Sequence, residues 1–137
     1  MYKNILVAIE PAHTAKHEHA LAMARRLAED VNAEITALTV IEPAPTYVAE
    51  ATGLSDLQAE AGERAIANLR NFVGPRSEIK TVLLHGHAAN QIIAHAAGHD
   101  IDCIVIASHK PGLADYLLGS TAARVVRHAP CSVHVMR

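Results

Sequence analysis

The sequence predicts a single α/β domain over residues 1–137, with one open five-stranded parallel sheet and helices on both of its faces. Three observations indicate this fold class. Half of the residues are hydrophobic and 19% are charged, a balance that is typical of a globular domain with one core. Five short apolar segments punctuate the chain. Stretches with helical spacing of apolar residues separate these segments, which favours βαβ units with right-handed crossovers.

The apolar segments have the length of strands and differ in their pattern. The first and the fourth are almost continuous in Ile, Val, Leu and Cys, which indicates strands that are buried on both faces of a sheet. The last one alternates, with Cys131, Val133 and Val135 on one face, and therefore predicts an edge or interface strand. The predicted strands are residues 5–9, 35–41, 81–84, 103–107 and 131–136.

Four helices are predicted in the intervals between the strands. The first follows Thr14, where apolar residues recur at helical spacing. The second stops at Gly74 and the third stops at Gly98. The fourth begins near Gly119 and ends before Pro130, which cannot continue a helix.

Composition and charge exclude several classes of function. The formal net charge is -2 and the isoelectric point is near 6.5, so we expect neither nucleic acid nor a membrane as a partner. Only 3% of the residues are aromatic, which disfavours base-stacking surfaces and a flavin carrier. No apolar stretch approaches the ~18 residues of a membrane span. Cys103 and Cys131 lie in apolar segments without a C-x-x-C motif, which favours buried thiols and a cytoplasmic location.

Polar residues follow the predicted strands, at the end of the sheet where such folds bind ligands. Glu10 follows the first strand, and Gly119, Ser120 and Thr121 open the fourth helix. Glycine permits close approach of a ligand, and hydroxyls beside free amides favour an anion, so this helix start is a candidate phosphate cradle. An ordinary helix start with Ser120 as its cap explains the same residues. Neither G-x-G-x-x-G nor G-x-x-x-x-G-K-[ST] is present, which disfavours nicotinamide Rossmann enzymes and P-loop NTPases.

Ten histidines raise the hypothesis of a metal site. One pair has the i, i+4 spacing of a helix face, and a second pair would share one side of a strand if the strand continued through it. Neither an H-E-x-x-H motif nor a complete four-ligand set is present, so solvated or loop-capping imidazoles are the favoured interpretation. The histidines concerned are His95 with His99, His85 with His87, and His13 with His17 and His19.

Several stretches along the chain resemble one known family. Residues 2–9 read YKNILVAI, residues 38–41 read LTVI, and Gly86 follows the third predicted strand. Further on, the stretches are DCIVIASH at 102–109, LLGS at 117–120 and VVRHAPCSV at 125–133. Together they are similar to the sequence signature of the universal stress protein family, over essentially the whole chain.

This resemblance implies a sheet with strand order 3-2-1-4-5 and a homodimer formed through residues 131–136, with any higher assembly left open. Many members of the family bind ATP through the motif G-x2-G-x9-G-[ST], and others lack the motif and bind none. Gly119 and Ser120 match the closing pair of that motif, with Thr121 beside them. The resemblance thus places the phosphates at the start of the fourth helix.

Other positions match the nucleoside part of the family's site. Ala8, Ile9 and Glu10 match the turn that lines the adenosine pocket. Glu10 stands where the family commonly has an aspartate, close to the ribose or to a Mg²⁺ ion carried by ATP. Val40 matches the residue whose backbone reads the edge of adenine.

The stretch that begins at the end of the fourth strand departs from the motif. It comprises Ile106, Ala107, Ser108, His109 and Lys110, and resembles a subgroup with Ser-His-Arg/Lys-Pro at this place. Ala107 stands where the first motif glycine is expected, and it suits the site if its φ is negative. Lys110 replaces the second glycine, so the loop must take another path. The lysine charge either contacts the phosphates or is solvated.

The function implied is an ATP-binding module whose occupancy signals in a stress response, with a protein client that the sequence does not identify. A homodimeric scaffold that works without nucleotide is one alternative. A weak ATPase or autokinase is another, in which Glu10 would organise Mg²⁺. The sequence does not show a catalytic set of nucleophile, base and orienting group, which favours a binding function over catalysis.

Overall fold

The computed structural model describes residues 1–43, 54–108 and 118–137, and every predicted strand and helix is present in it. The elements are β1 (Asn4–Ala8), a 3₁₀ turn (Thr14–His17), α1 (Glu18–Glu29), β2 (Glu34–Ile41), α2 (Leu54–Val73), β3 (Lys80–His85), α3 (Ala88–Gly98), β4 (Cys103–Ala107), α4 (Ser120–His128) and β5 (Ser132–Met136).

The five strands form one parallel sheet in the order β3-β2-β1-β4-β5, so the predicted fold class and strand order are confirmed. β1 lies at the centre, where Ile5 is opposite Ile35 of β2 and Cys103 of β4. β5 pairs with β4 and stands at one edge of the sheet, as its alternating sequence predicted. It begins at Ser132, one residue later than the apolar segment.

Helices cover both faces of the sheet and divide the core into two layers. α1 and α2 pack on the face that receives Ile5 and Val7 of β1. α3 and α4 pack on the opposite face, which receives Leu6 and Ala8. This two-sided burial is the reason why β1 is continuously apolar, since each large aliphatic side chain buried there contributes roughly 1.5–3 kcal/mol.

The side chain of Asp102 links two strands at the amino end of the sheet. Asp102 directly precedes β4 and accepts hydrogen bonds from the backbone N–H groups of Lys3, at 2.7 Å, and Asn4, at 3.1 Å. The side-chain amide of Asn4 donates to the carbonyl oxygen of Asp100. These bonds join the starts of the two central strands, which lie 98 and 99 residues apart in sequence.

The predicted first helical segment is divided into two helix types. Residues 14–17 form a 3₁₀ turn, and the α-helix begins at Glu18. The turn ends at His17, whose side chain is buried. Apolar spacing alone does not separate the two helix types over four residues. Within the described ranges, no helix has both the length and the apolarity needed to cross a membrane.

Both cysteines are free thiols. Cys103 is buried in β4, and this burial, with a smaller contribution from Cys131, raises the pKa of its thiol to about 11. Burial also raises the pKa of Cys131. Both thiols are therefore protonated near neutral pH and are poor nucleophiles.

Candidate functional site

Two adjoining cavities open at the carboxyl ends of the strands. In such sheets, ligands bind where neighbouring strands lead to helices on opposite faces. Here that point lies between β1 and β4, since α1 packs on one face and α4 on the other. The cavities have volumes of about 350 Å³ and about 530 Å³. The residues that line both are Glu10, His17, Ala107, Ser120 and Thr121.

The smaller cavity has an apolar floor. Its described lining includes aliphatic side chains from the ends of three strands, together with Ala88 and Ile92 at the start of α3. Glu42, one residue beyond β2, adds a carboxylate. The lining thus combines aliphatic side chains with polar groups, which suits a flat ring system with polar edges. The strand residues are Ala8, Ile9, Leu38, Val40, Ile106 and Ala107.

The larger cavity has apolar side chains in its lining together with polar and basic groups. Ser108 and the start of α4 form one side, and His13, Lys16 and His19 from the turn and α1 form another. Small side chains such as Ala20 keep the space between these walls open. Glu10 is the acidic side chain among the described residues that line it.

The start of α4 presents backbone amides without acceptors. Gly119 is its N-cap residue and lacks a side chain that could cap it. The Gly119 N–H donates to the Ser108 carbonyl at 3.1 Å, and the first helical bond runs from the Ala123 N–H to the Gly119 carbonyl at 2.9 Å. Among residues 1–43, 54–108 and 118–137, nothing accepts the N–H groups of residues 120–122. The helix dipole adds partial positive charge at this position, so the helix start can receive an anion.

Close packing explains why glycine stands at position 119. A Cβ atom placed there would lie 3.2 Å from the carbonyl oxygen of Ser108, a tighter contact than nine in ten real Cβ atoms make. Ser108 is itself fixed, because its N–H donates to the Met136 carbonyl at 2.9 Å. The end of β4, the end of β5 and the start of α4 therefore form one rigid corner.

The start of α3 differs from the start of α4, because the side chain of Glu42 bonds to an amide there. The Glu42 carboxylate accepts a hydrogen bond from the backbone N–H of Ala88 at 3.2 Å. Gly86, with φ of +135°, turns the chain between β3 and α3, and its N–H donates to the Ile41 carbonyl at 3.0 Å. The turn thereby places Ala88 beside the residue that follows β2.

A buried histidine fixes the turn after β1. The backbone N–H of Glu10 donates to Nε2 of His17 at 3.2 Å, so the neutral ring carries its proton on Nδ1. His17 is 8% exposed, and burial lowers the pKa of its imidazole, although the charge of Glu10 partly opposes this shift. Its Nδ1 has no hydrogen-bond partner among the described residues. On the other side of β1, the hydroxyl of Thr39 donates to the carbonyl of Ile9 at 2.6 Å.

The structure brings the predicted site residues together as far as it describes them. Of the predicted residues, His109 and Lys110 lie outside the described ranges. The others all line one or both cavities: Ala8, Ile9, Glu10, Val40, Ile106, Ala107, Ser108, Gly119, Ser120 and Thr121. Ala107 is not among the described residues with positive φ. An alanine was expected to suit this glycine position of the motif only if its φ is negative, and that condition is met.

His17, Lys16 and Glu42 are among the lining residues that were not predicted as part of the site. His17 was predicted only as a metal-site candidate, and Glu42 is the residue after the second strand. Their roles depend on contacts across the fold, of which Glu42 with Ala88 spans 46 residues. A charged residue directly after a parallel strand was the one local signal available.

The remaining histidines do not form a metal centre in the described part of the chain. The rings of His95 and His99 stack with centroids 3.8 Å apart, and Nδ1 of His99 lies 3.0 Å from the His95 carbonyl oxygen. β3 ends at His85, so the condition for His85 and His87 to share a strand face fails. Among the residues described, no group of three or more His, Cys, Asp or Glu side chains is placed to hold a metal ion.

Comparisons with known proteins agree on one family. The sequence profile described as "Universal stress protein family" matches residues 1–137. A universal stress protein of Thermus aquaticus is 33% identical over 141 residues, which span 100% of both chains. The structure of universal stress protein UspA from Lactobacillus plantarum has 30% identity and a TM-score of 0.72, and the match covers 99% of this chain and 98% of that one. A universal stress protein solved in complex with cAMP shares the fold, with 23% identity, a TM-score of 0.64 and coverage of 99% and 97%.

Proposed function

The chain belongs to the universal stress protein family, and we propose on this premise that it binds ATP and acts as a nucleotide-dependent module of a stress response. One observation carries the proposal. The ten described residues predicted from the sequence line two adjoining cavities, and the larger one is bordered by basic side chains and by free amides. A space lined by aliphatic and polar groups, joined to an anion-binding helix start, matches the two chemical halves of a nucleotide.

The two helix starts support one orientation of the ligand. The carboxylate of Glu42 already occupies the start of α3, so a phosphate there would meet a like charge. The start of α4 has free amides and the hydroxyls of Ser120 and Thr121. In the proposed pose the base therefore lies in the smaller cavity, near the backbone of Val40, and the phosphates lie at α4.

Glu10 is the residue that would meet Mg²⁺ carried by the nucleotide. Its carboxylate is exposed and it lines both cavities, where the ribose and the phosphates would meet. One protein carboxylate together with substrate phosphates is a usual environment for Mg²⁺. Glu10 would hold the ion, which would offset part of the phosphate charge.

Equilibrium dialysis with ATP and Mg²⁺ tests the proposal. We expect saturable retention of ATP, and a native mass spectrum of gently purified protein that reports bound nucleotide. Absence of retention at millimolar ATP would refute it and favour a scaffold that works without nucleotide. A turnover assay on the parent and on Glu10→Gln tests whether any hydrolysis depends on that carboxylate, and equal turnover would exclude a catalytic role for it.

The edge strand β5 supports a further proposal, a homodimer, and the two free thiols support a cytoplasmic location for it. β5 pairs only with β4 among the described strands, and its Val133 and Val135 are half-buried. A free edge with an apolar face is suited to pairing with a second copy. Sedimentation at micromolar concentration should give the mass of two chains, and a monomer alone would contradict this.

A further inference from the structure

The turn after β1 and the start of α1 form a basic rim of the larger cavity, which the start of α4 also lines. The basic rim consists of His13, Lys16 and His19. All three side chains are exposed, so Lys16 reaches the cavity from solvent without the cost of burying its charge, and the two imidazoles can donate hydrogen bonds. None of these residues belongs to the loop and helix start to which the sequence motif points.

From this placement we infer that the rim is a second binding wall for the phosphate chain of the nucleotide, and that the site selects ligands with two or three phosphates over a monophosphate or a nucleoside. The inference rests on the proposed nucleotide binding. The free amides of α4 would contact the phosphates from one side, and Lys16 with the two histidines would contact them from the other.

The rim is held in place by the buried His17. The 3₁₀ turn that carries Lys16 ends at this histidine, and its Nε2 accepts the N–H of Glu10 at 3.2 Å. The Lys16 N–H donates to the His13 carbonyl at 3.1 Å, which fixes the backbone of two rim residues relative to each other. An anchored backbone reduces the entropy lost when the side chains close on a ligand.

The charge of the cavity also favours a polyanion. Glu10 is the acidic side chain in the described lining of the larger cavity, and it lies at the junction with the smaller one. A Mg²⁺ ion held by Glu10 would offset that charge. A nucleoside would leave the rim without a partner, whereas each added phosphate brings more negative charge toward it.

The test is a series of dissociation constants for ATP, ADP, AMP, adenosine and inorganic tripolyphosphate at one ionic strength. It compares the parent with Lys16→Gln and with the triple variant His13→Gln, Lys16→Gln and His19→Gln. The matched control is Arg26→Gln, which removes an exposed cation from the far end of α1, away from both cavities. Circular dichroism checks that each variant remains folded.

We expect Lys16→Gln to weaken ATP and tripolyphosphate about three- to tenfold, as for loss of one partly exposed charged contact. The triple variant should weaken both ligands further, with adenosine unchanged, and Arg26→Gln should change none of the five. Raising the salt concentration should weaken ATP in the parent more than in the triple variant, because the lost contacts are between charges.

The outcomes separate this inference from the proposed function. If ATP and adenosine bind equally well and Lys16→Gln changes neither, the rim is refuted while nucleotide binding stands. If tripolyphosphate binds in a Lys16-dependent way but adenosine and ATP do not bind, the rim stands and the nucleotide proposal fails. If the parent binds none of the five ligands, both are wrong.

Discussion

The starts of α3 and α4 lie on the same face of the sheet and border the same cavity, yet they are completed differently. α3 receives the carboxylate of Glu42, which accepts the Ala88 N–H. α4 begins at Gly119 without a side-chain cap. One amide at the start of α3 thus has an acceptor within the protein, whereas the amides of residues 120–122 have none among the described residues. An anion would therefore meet a carboxylate at α3 and N–H donors at α4.

The largest expected effect comes from closing the α4 start with a side chain. Gly119→Val places a Cβ atom 3.2 Å from the Ser108 carbonyl oxygen and branched methyl groups at the helix start. Loss of two charged hydrogen bonds to phosphate, at about 1.5 kcal/mol or more each, should weaken ATP binding about a hundredfold or more. Isothermal titration calorimetry with ATP and Mg²⁺ measures this.

The matched control for that change is Gly98→Val in α3, where an added Cβ atom would have nothing within 4 Å. It should leave ATP affinity unchanged. If Gly119→Val binds ATP as tightly as the parent, the phosphates do not lie at α4, and the contrast between the two helix starts has no bearing on binding.

A second change makes α4 resemble α3 by giving it a carboxylate. Ser120 is exposed in the first turn, so Ser120→Asp should stabilise the fold by about 0.3–1 kcal/mol through the helix dipole. The same charge should weaken ATP binding about tenfold, because the carboxylate repels phosphate. Urea unfolding measures the change in stability, and calorimetry measures the change in ATP affinity. Ser120→Asn is the uncharged control. Tighter ATP binding by Ser120→Asp would contradict the assignment.

The converse change removes the cap from α3. Glu42→Ala should lower the free energy of unfolding by about 1 kcal/mol, as expected for a lost helix cap, and Glu42→Gln should lower it less because an acceptor oxygen remains. Denaturant unfolding of the three proteins checks this order. Equal stability of the parent and Glu42→Ala would mean that the bond to Ala88 contributes nothing.

The smallest expected effect concerns α1, the third helix that starts at this end of the sheet. Burial lowers the pKa of His17 below the ordinary value of 6.5, so the unfolded chain takes up the proton more readily than the folded chain. The free energy of unfolding should therefore fall as the pH drops below about 6.5, until the pH is below the lowered folded pKa. His17→Gln keeps an acceptor for the Glu10 N–H and should reduce this fall.

Urea unfolding at several pH values between about 8 and 5 measures that slope. His19→Gln, at an exposed position two residues further along, is the comparison variant. The slope for His17→Gln should be shallower than for the parent or for His19→Gln. If the free energy of unfolding changes with pH in the same way for all three proteins, folding does not lower the pKa of His17.

The sequence predicted the sheet and much of the site because both depend on local patterns. β1 and β4 are apolar on both faces and are read directly as central strands, and Gly119 and Ser120 stand in a recognisable motif. The ends of parallel strands share one edge, so the residues after them could be placed together from topology alone. The edge position of β5 followed from its alternation in the same way.

What could not be predicted depends on contacts between distant elements. Glu42 caps α3 only because β2 and β3 are neighbours and Gly86 turns the chain back. His17 is buried at the end of a 3₁₀ turn that is too short for apolar spacing to distinguish it from an α-helix. In both cases the side chain is polar, so it left no mark in a pattern that records hydrophobicity.

Asp102, which ties β4 to the first residues of β1, has a consequence for how the protein is made. β1 is synthesised first, yet one of its two neighbours in the sheet follows about a hundred residues later. While the ribosome is still adding β4, the strand at the heart of the finished sheet has an open side of unpaired amides and carbonyls. We expect this half-built sheet to need protection from association with other nascent chains until β4 emerges and closes it.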